Sequence, residues 1–259
     1  MLLKDKVAIV SGVGPGLGRA TALALAREGA AVGLAARTEA RVRDVADEIE
    51  AMGGRALPVP TNIADPDQCR RIADATAAEF GGLDVLVNSA FRRDPNQPFE
   101  DVDLERWRKV YDVNVFGSLH LTKAAIPHLK ARGGGSIVFV NSMSARKIRA
   151  NEGGYASSKG ALLTAAQVLA KELGPYQIRV NSVVPGWIWG PNVQTYVEWQ
   201  VAERGITAEE AVAEIEREIP LGFIPPQEDV AEAIVFFASD MAKVITGQSL
   251  DVNGGEYFH

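Results

Sequence analysis

Cysteine is almost missing from this chain: Cys69 stands alone among 259 residues. One thiol forms no internal bridge, so the fold does not rest on disulfides, and a reducing, cytoplasmic setting is expected. Cys69 lies in a polar helical stretch over residues 67–71, the place of a bystander rather than a nucleophile. Histidine is scarce as well. His120, His128 and His259 lie far apart in sequence and offer no metal-ligand spacing, so no metal is expected. Positive charge is in deficit, with 27 Lys and Arg against 33 Asp and Glu, a formal net of −6. A protein that tracks nucleic-acid phosphates usually shows a basic face, so nucleic acid is not the expected partner. An anionic cofactor needs only a few local cations. No apolar run approaches ~18 residues, so no membrane span is expected. Residues 1–6 lack the apolar core of a secretion signal.

What the chain does have is apolar content. With hydrophobic residues at 47% and charged ones at 23%, it is able to bury a full core in one large α/β domain. Residues 7–10 read as a short buried strand. They lead into Ser11-Gly12-Val13-Gly14-Pro15-Gly16-Leu17-Gly18, after which residues 19–27 repeat Ala and Leu at helical spacing. Strand, glycine loop and helix in that order form the setting of a dinucleotide site. The glycines permit a tight turn and a close approach to a pyrophosphate, whose charge the helix N-terminus stabilises. A ligand-free glycine turn is the bland alternative, and the correct flanks favour the nucleotide. Residues 31–36 are the second strand, closing on Ala36 and then Arg37. An acid at that strand end grips the NAD ribose, whereas its absence beside an arginine accommodates a 2′-phosphate. Ala36 and Arg37 therefore predict NADP(H) in preference to NAD(H), since arginine's planar fork suits phosphate.

A helix is expected over 38–52, a strand over 56–60, and then Asn62 and Ile63 where an adenine would lie. Asn62 offers both donor and acceptor to a base edge. A helix over 65–80 and a strand over 83–87 follow, with Asn88-Ser89-Ala90-Phe91 beyond. This alternation predicts an α/β fold, a doubly wound parallel sheet with helices on both faces. The glycine loop, Arg37, Asn62 and Asn88 all fall at carboxyl ends of strands, where such sheets bind ligands. A long helical pattern covers 104–130, with Pro127 near its end. Asn114 sits inside its apolar stretch, expected to satisfy a buried polar partner or to hold water. Strands over 136–140 and 178–184 close on Asn141-Ser142-Met143-Ser144 and on Pro185-Gly186. Between them, Tyr155 and Lys159 head a proline-free helix running to Leu173. Positions i and i+4 share a helix face. The Lys159 charge is then expected to draw the Tyr155 pKa down, towards proton exchange with a carbonyl or alcohol oxygen. Residues 207–218 read as an acidic helical flap and 228–237 as the last long helix.

In order and spacing these residues resemble the short-chain dehydrogenase/reductase family over nearly the whole chain. Gly12, Gly16 and Gly18 match its glycine motif, and Asn88-Ser89-Ala90-Phe91 corresponds to its Asn-Asn-Ala-Gly, with Phe91 in the glycine's place. Asn114, Ser142, Tyr155 and Lys159 match its catalytic set, and Pro185-Gly186 its turn after the sixth strand. The resemblance implies one Rossmann-like domain of about seven strands and hydride transfer between a nicotinamide and a substrate carbon. Tyr155 would exchange the proton and Ser142 would hold the substrate oxygen. Lys159 would tune Tyr155 and bond the nicotinamide ribose, while Asn114 would position a relay water. Gly12, Gly14, Gly16, Leu17, Gly18, Arg37, Asn62, Ile63, Asn88, Ala90, Pro185, Gly186 and Ile188 would join Tyr155 and Lys159 around the dinucleotide. Phe91, Ser144, Trp187, Trp189 and Tyr196 would line the substrate pocket, with residues 187–224 as a lid. A subunit interface is the competing reading of those aromatics. The Tyr-Lys spacing, shorter than that of enoyl reductases in the same superfamily, implies carbonyl and alcohol chemistry. The expected protein is a homotetrameric NADP(H)-dependent enzyme interconverting a bulky hydrophobic ketone and its secondary alcohol. Arg92, Arg93, Arg146, Lys147 and Arg149 keep a second reading open, a 3-oxoacyl-thioester reductase using acyl carrier protein or coenzyme A. A non-catalytic NADP(H) sensor is the alternative from another class.

Overall fold

Val7–Ser11 (β1) is buried along its whole length, as a strand covered on both faces must be. In the computed structural model, which describes residues 1–94 and 96–258, β1 lies within a seven-stranded parallel sheet. The other strands are Ala31–Ala36 (β2), Arg55–Pro60 (β3), Val85–Asn88 (β4), Gly135–Val140 (β5), Ile178–Pro185 (β6) and Ser249–Val252 (β7). Their order is β3-β2-β1-β4-β5-β6-β7. The direction of winding reverses between β1 and β4, which opens a crevice at the carboxyl ends of those strands. His259, named above, lies outside the described residues.

The period of two along the strands sorts side chains onto two cores. Ala8 and Val10 face Leu17–Arg27 (α1), Glu39–Ala51 (α2) and Gln227–Ala238 (α9), meeting Leu25, Val42, Ile49, Ile234 and Phe237. Val7 and Ile9 face Pro66–Phe80 (α3), Ser118–Ala131 (α5) and Gly153–Leu173 (α6), meeting Ile72, Leu121, Leu129 and Leu162. Cys69 is buried in this second core. Its Sγ donates to the Ile63 carbonyl at 3.3 Å, and burial pushes the thiol up to about 12, so it is inert at neutral pH. α3 begins at Asp65, whose carboxylate accepts from the Asp67 and Gln68 amides, with Pro66 in the first turn. Asp65→Ala is expected to cost about 1 kcal/mol, read as a lower urea midpoint at unchanged slope.

One expectation needs correction. The pattern over 104–130 is not one helix but Leu104–Tyr111 (α4), a π-helical turn at Asp112–Gly117, and α5. The wider turn carries Asn114 inward to polar partners that regular spacing would miss, and such turns recur at functional sites. Pro127 lies inside α5, which continues to Ala131. After β6, Trp187 and Trp189 precede a helix, Pro191–Arg204 (α7), which carries Tyr196 and Trp199 and is followed by Ala208–Glu216 (α8). Pro191 in the first turn and left-handed Gly205 after the last are ordinary helix punctuation. α7 and α8 share a small core of Val193, Val197, Ala211, Ile215, Ile219 and Ile224. No helix among the described residues is long and apolar enough to cross a membrane.

Candidate active site

The carboxyl ends of β1, β4, β5 and β6 bring the loops of interest to one edge. Gly12 adopts φ +78°, and a Cβ there would lie 2.5 Å from Ala90 Cα, so this glycine lets two loops touch. A Cβ on Gly18 would overlap the Gly12 carbonyl. Ser11 ties the same loops together: its hydroxyl donates to the Val87 carbonyl and accepts from the Ser89 and Ala90 amides. The start of α1 at Gly16 has no side-chain cap. Its first amides therefore point, unpaired by any cap, into a cleft of about 150 Å³. That cleft is lined by Gly12, Gly14, Gly16, Leu17 and Gly18 at one end and by Tyr155, Lys159, Pro185, Gly186 and Ile188 at the other. An uncapped helix start behind close-packed glycines is what a dinucleotide pyrophosphate requires, so these residues fit one.

The remaining residues expected around the nucleotide divide by surroundings. Arg37 is exposed at the end of β2. Glu39, which stands close in sequence, bonds Arg43 at 2.7 Å instead of neutralising Arg37. Arg41, unnoticed in the sequence, reaches over the glycine loop, with Nη1 3.7 Å from where a Gly14 Cβ would stand. Asn62 accepts from the Ala64 amide, and Ile63 is buried against Gly117. Asn88 is buried and donates to Thr122 Oγ1 at 3.0 Å, a supporting role for the wall beneath Ala90. Gln227 also lines the cleft, an unanticipated residue whose Oε1 is buried without a partner among the described residues.

A second cavity of about 430 Å³ adjoins the cleft, and Ser142, Tyr155, Arg93, Gly186 and Trp187 line both. Ser142 and Tyr155 line both spaces, and the serine hydroxyl lies near enough to the phenol to favour its ionised form. Trp187, Tyr196 and Trp199 form a continuous aromatic set, with centroids 5.0 and 5.8 Å apart. The Tyr196 hydroxyl is fixed by Gln200 at 2.7 Å. Ser144 lines the cavity and donates to Glu152 at 3.2 Å. Phe91 and Trp189, expected on the substrate, line the cleft instead. The Phe91 ring meets Tyr155 edge-on at 6.2 Å.

Asn114 is fully buried, and its amide is engaged by the chain itself. Oδ1 accepts from the Arg92 amide at 2.7 Å, while Nδ2 donates to the Arg92 carbonyl at 3.0 Å and to Ser158 Oγ at 2.9 Å. Ser158 in turn donates to the Tyr155 carbonyl. Asn114 thus pins the 91–93 segment against the start of α6.

The electrostatics overturn one expectation. The Tyr155 pKa is raised, because burial penalises the phenolate more than any neighbour favours it. The Arg93 guanidinium, 5.5 Å from the ring centroid, and the Ser142 hydroxyl pull the other way, while Glu152 and Asp94 add to the rise. Lys159 is itself buried, its Nζ donating to the Val140 carbonyl at 2.7 Å, and burial pushes its pKa down to about 7. The i, i+4 spacing places the two side chains together but says nothing of their access to water. An amine that has lost much of its charge does little for a phenolate. Tyr155 is therefore a proton-bearing acid at neutral pH.

The family profile described as enoyl-(acyl carrier protein) reductase matches residues 12–256. An L-rhamnose 1-dehydrogenase (NAD(P)(+)) of Azotobacter vinelandii is 38% identical over 98% of each chain. A cis-4-hydroxycyclohexanecarboxylate dehydrogenase of Sinomonas cyclohexanicum is 36% identical over 97% of this chain and 96% of its own. The crystal structure of a short-chain type dehydrogenase/reductase from Mycobacterium marinum superposes with TM-score 0.89 at 33% identity, covering 99% of this chain and 97% of that one. The chain belongs to the short-chain dehydrogenase/reductase family. It is an oxidoreductase of that family, acting between alcohol and ketone with a nicotinamide dinucleotide. Ser142 follows β5, and Tyr155 lies in the first turn of α6.

Proposed function

We propose that this short-chain dehydrogenase/reductase uses NADP(H) to interconvert a ketone and a secondary alcohol on a ring-like substrate with apolar and polar faces. The observation that carries the reading is that Ser142 and Tyr155 both stand on the wall shared by cleft and cavity. The nicotinamide supplies or accepts the hydride, chemistry that belongs to the cofactor. Ser142 and Tyr155 grip the substrate oxygen, and the protonated phenol donates as that oxygen gains charge; in oxidation the same atoms run in reverse. Lys159, titrating near neutrality, returns the proton to Tyr155. Asn114 acts as a positioning residue that holds Phe91 and Arg93 against Tyr155. Residues 187–224, carrying α7 and α8 on their own small core, are read as the lid.

Arg37 just after β2 and Arg41 beside Gly14 support the NADP(H) preference, since no carboxylate ends β2. Arg37→Ala is expected to raise KM for NADPH about tenfold or more, the scale of a lost charge-assisted hydrogen bond, and to leave NADH nearly untouched. Initial rates with both dinucleotides check it, and an equal effect on the two would remove the phosphate assignment.

The cavity narrows the expectation of a bulky hydrophobic substrate. Trp187, Tyr196 and Trp199 offer an apolar ring face its contact, while Arg93, Asn96, Asn151 and Glu152 offer hydrogen bonds. The names of the two relatives above describe rings with polar substituents, which fits such a lining. The thioester reading loses part of its support, because Arg146 is bonded to Asp251 while Lys147 and Arg149 are bonded to Glu256. Activity confined to acyl-carrier or coenzyme A thioesters, with none on free ketones, would reverse that choice. Exposed apolar side chains on the edge strand β7 (Leu250) and on α6 (Val168) support assembly as a homotetramer, measurable by sedimentation. A cytoplasmic enzyme remains the reading for its compartment.

A further inference from the structure

We propose that Glu256, in the segment after β7, is a positioning residue that fixes the aromatic wall of the substrate cavity through Arg149. The inference rests on reading that cavity as the substrate pocket. The Glu256 side chain has no exposed surface. A carboxylate withdrawn from water needs cationic partners, and Oε1 accepts from Lys147 Nζ at 3.0 Å and from Arg149 Nη2 at 3.3 Å. Lys147 extends the pair to Glu218 beyond α8, at 2.7 Å. The Arg149 guanidinium carbon stands 4.7 Å from the Trp187 ring centroid, within cation–π range. Trp187 packs on Tyr196, and Tyr196 on Trp199.

Glu256 also lies beside Gly186, the residue before Trp187. Its Oε2 lies 3.2 Å from where a Cβ on Gly186 would stand, and it has no partner among the described residues. One buried acid thus holds the cation stacked on Trp187 and lies beside the turn from which Trp187 projects. Removing its charge leaves Arg149 without its hydrogen-bonded carboxylate, while Lys147 keeps Glu218 at 2.7 Å. Arg149 is then free to turn to water, and Trp187 loses the neighbour that sets its ring. Neither Glu256 nor Arg149 bonds Ser142, Tyr155 or Lys159. The effect should therefore fall on substrate binding and not on the proton-transfer step.

The test compares Glu256→Gln, Arg149→Met and the double variant with wild type. Each folded variant is expected to raise KM for the ketone about tenfold with kcat and KM for NADPH little changed. The double variant should be no worse than either single one, because both break one linkage. In the cofactor-free protein, the emission assigned to Trp187 by difference from Trp187→Phe should become more open to acrylamide quenching. Additive losses, a fall in kcat at constant KM, or unchanged Trp187 quenching in folded variants would overturn the proposal. If Glu256→Gln does not fold, Arg149→Met alone decides by the same readouts. If no ketone or alcohol is turned over, the quenching arm still decides, so failure of the functional reading is told apart from failure of this one.

Discussion

Tyr155→Phe is expected to lower turnover by about 10² to 10⁴-fold, the range for losing a positioned proton donor. NADPH affinity should stay close to that of wild type, since the ring and its packing against Phe91 and Arg93 remain. The physical case is specific to the hydroxyl. It stands with Ser142 on the wall shared by cleft and cavity. Burial keeps it protonated at neutral pH, so it arrives at the reaction as an acid. Turnover retained in Tyr155→Phe would mean that the proton comes from elsewhere. No turnover in wild type on any substrate, with binding intact, would favour the sensor reading.

Lys159→Met is expected to abolish most activity and, in the same protein, to stabilise the fold at low pH. The folded chain holds the Lys159 proton only up to about pH 7, whereas the unfolded chain holds it to about 10.5. Between those values the unfolded state binds the extra proton, so wild-type stability rises with pH at about 1.4 kcal/mol per unit. Below about pH 7 both states carry the proton, and the full cost of burying an ammonium is present. Methionine keeps the apolar stem without the charge. Its advantage over lysine should be largest below about pH 7 and shrink as the pH approaches 10.5. Urea midpoints near the two ends of that window read it directly. An advantage independent of pH would show that Lys159 is solvated in the folded protein.

Much of the sheet was legible because a parallel strand buried on both faces leaves an apolar run that few other elements imitate. The glycine loop and the Tyr155–Lys159 pair were legible because each needs particular residue types at fixed offsets. What could not be read was solvation. Helical spacing places Lys159 beside Tyr155, yet the sign of the Tyr155 shift depends on how many other elements close over both. Local periodicity also hides a π-helical turn, since the extra residue at Asp112–Gly117 leaves the apolar pattern nearly continuous. Long-range ties were invisible for a related reason. Gln227, at the start of α9, and Glu256, after β7, reach the site from far along the chain, and nothing in their own neighbourhoods marks them. Arg41 is different: a second arginine one turn beyond Arg37 was a signal available in the sequence.

The central claim is that one substrate carbon exchanges hydride with the nicotinamide while Tyr155 handles the proton. NADPH deuterated at the transferable position of its nicotinamide ring, incubated with a panel of cyclic ketones bearing polar substituents, tests it most directly by mass spectrometry of the product alcohols. The predicted result is a single deuterium on the carbinol carbon of at least one product, lost in Tyr155→Phe. Tight NADPH binding with no label reaching any ketone would contradict it.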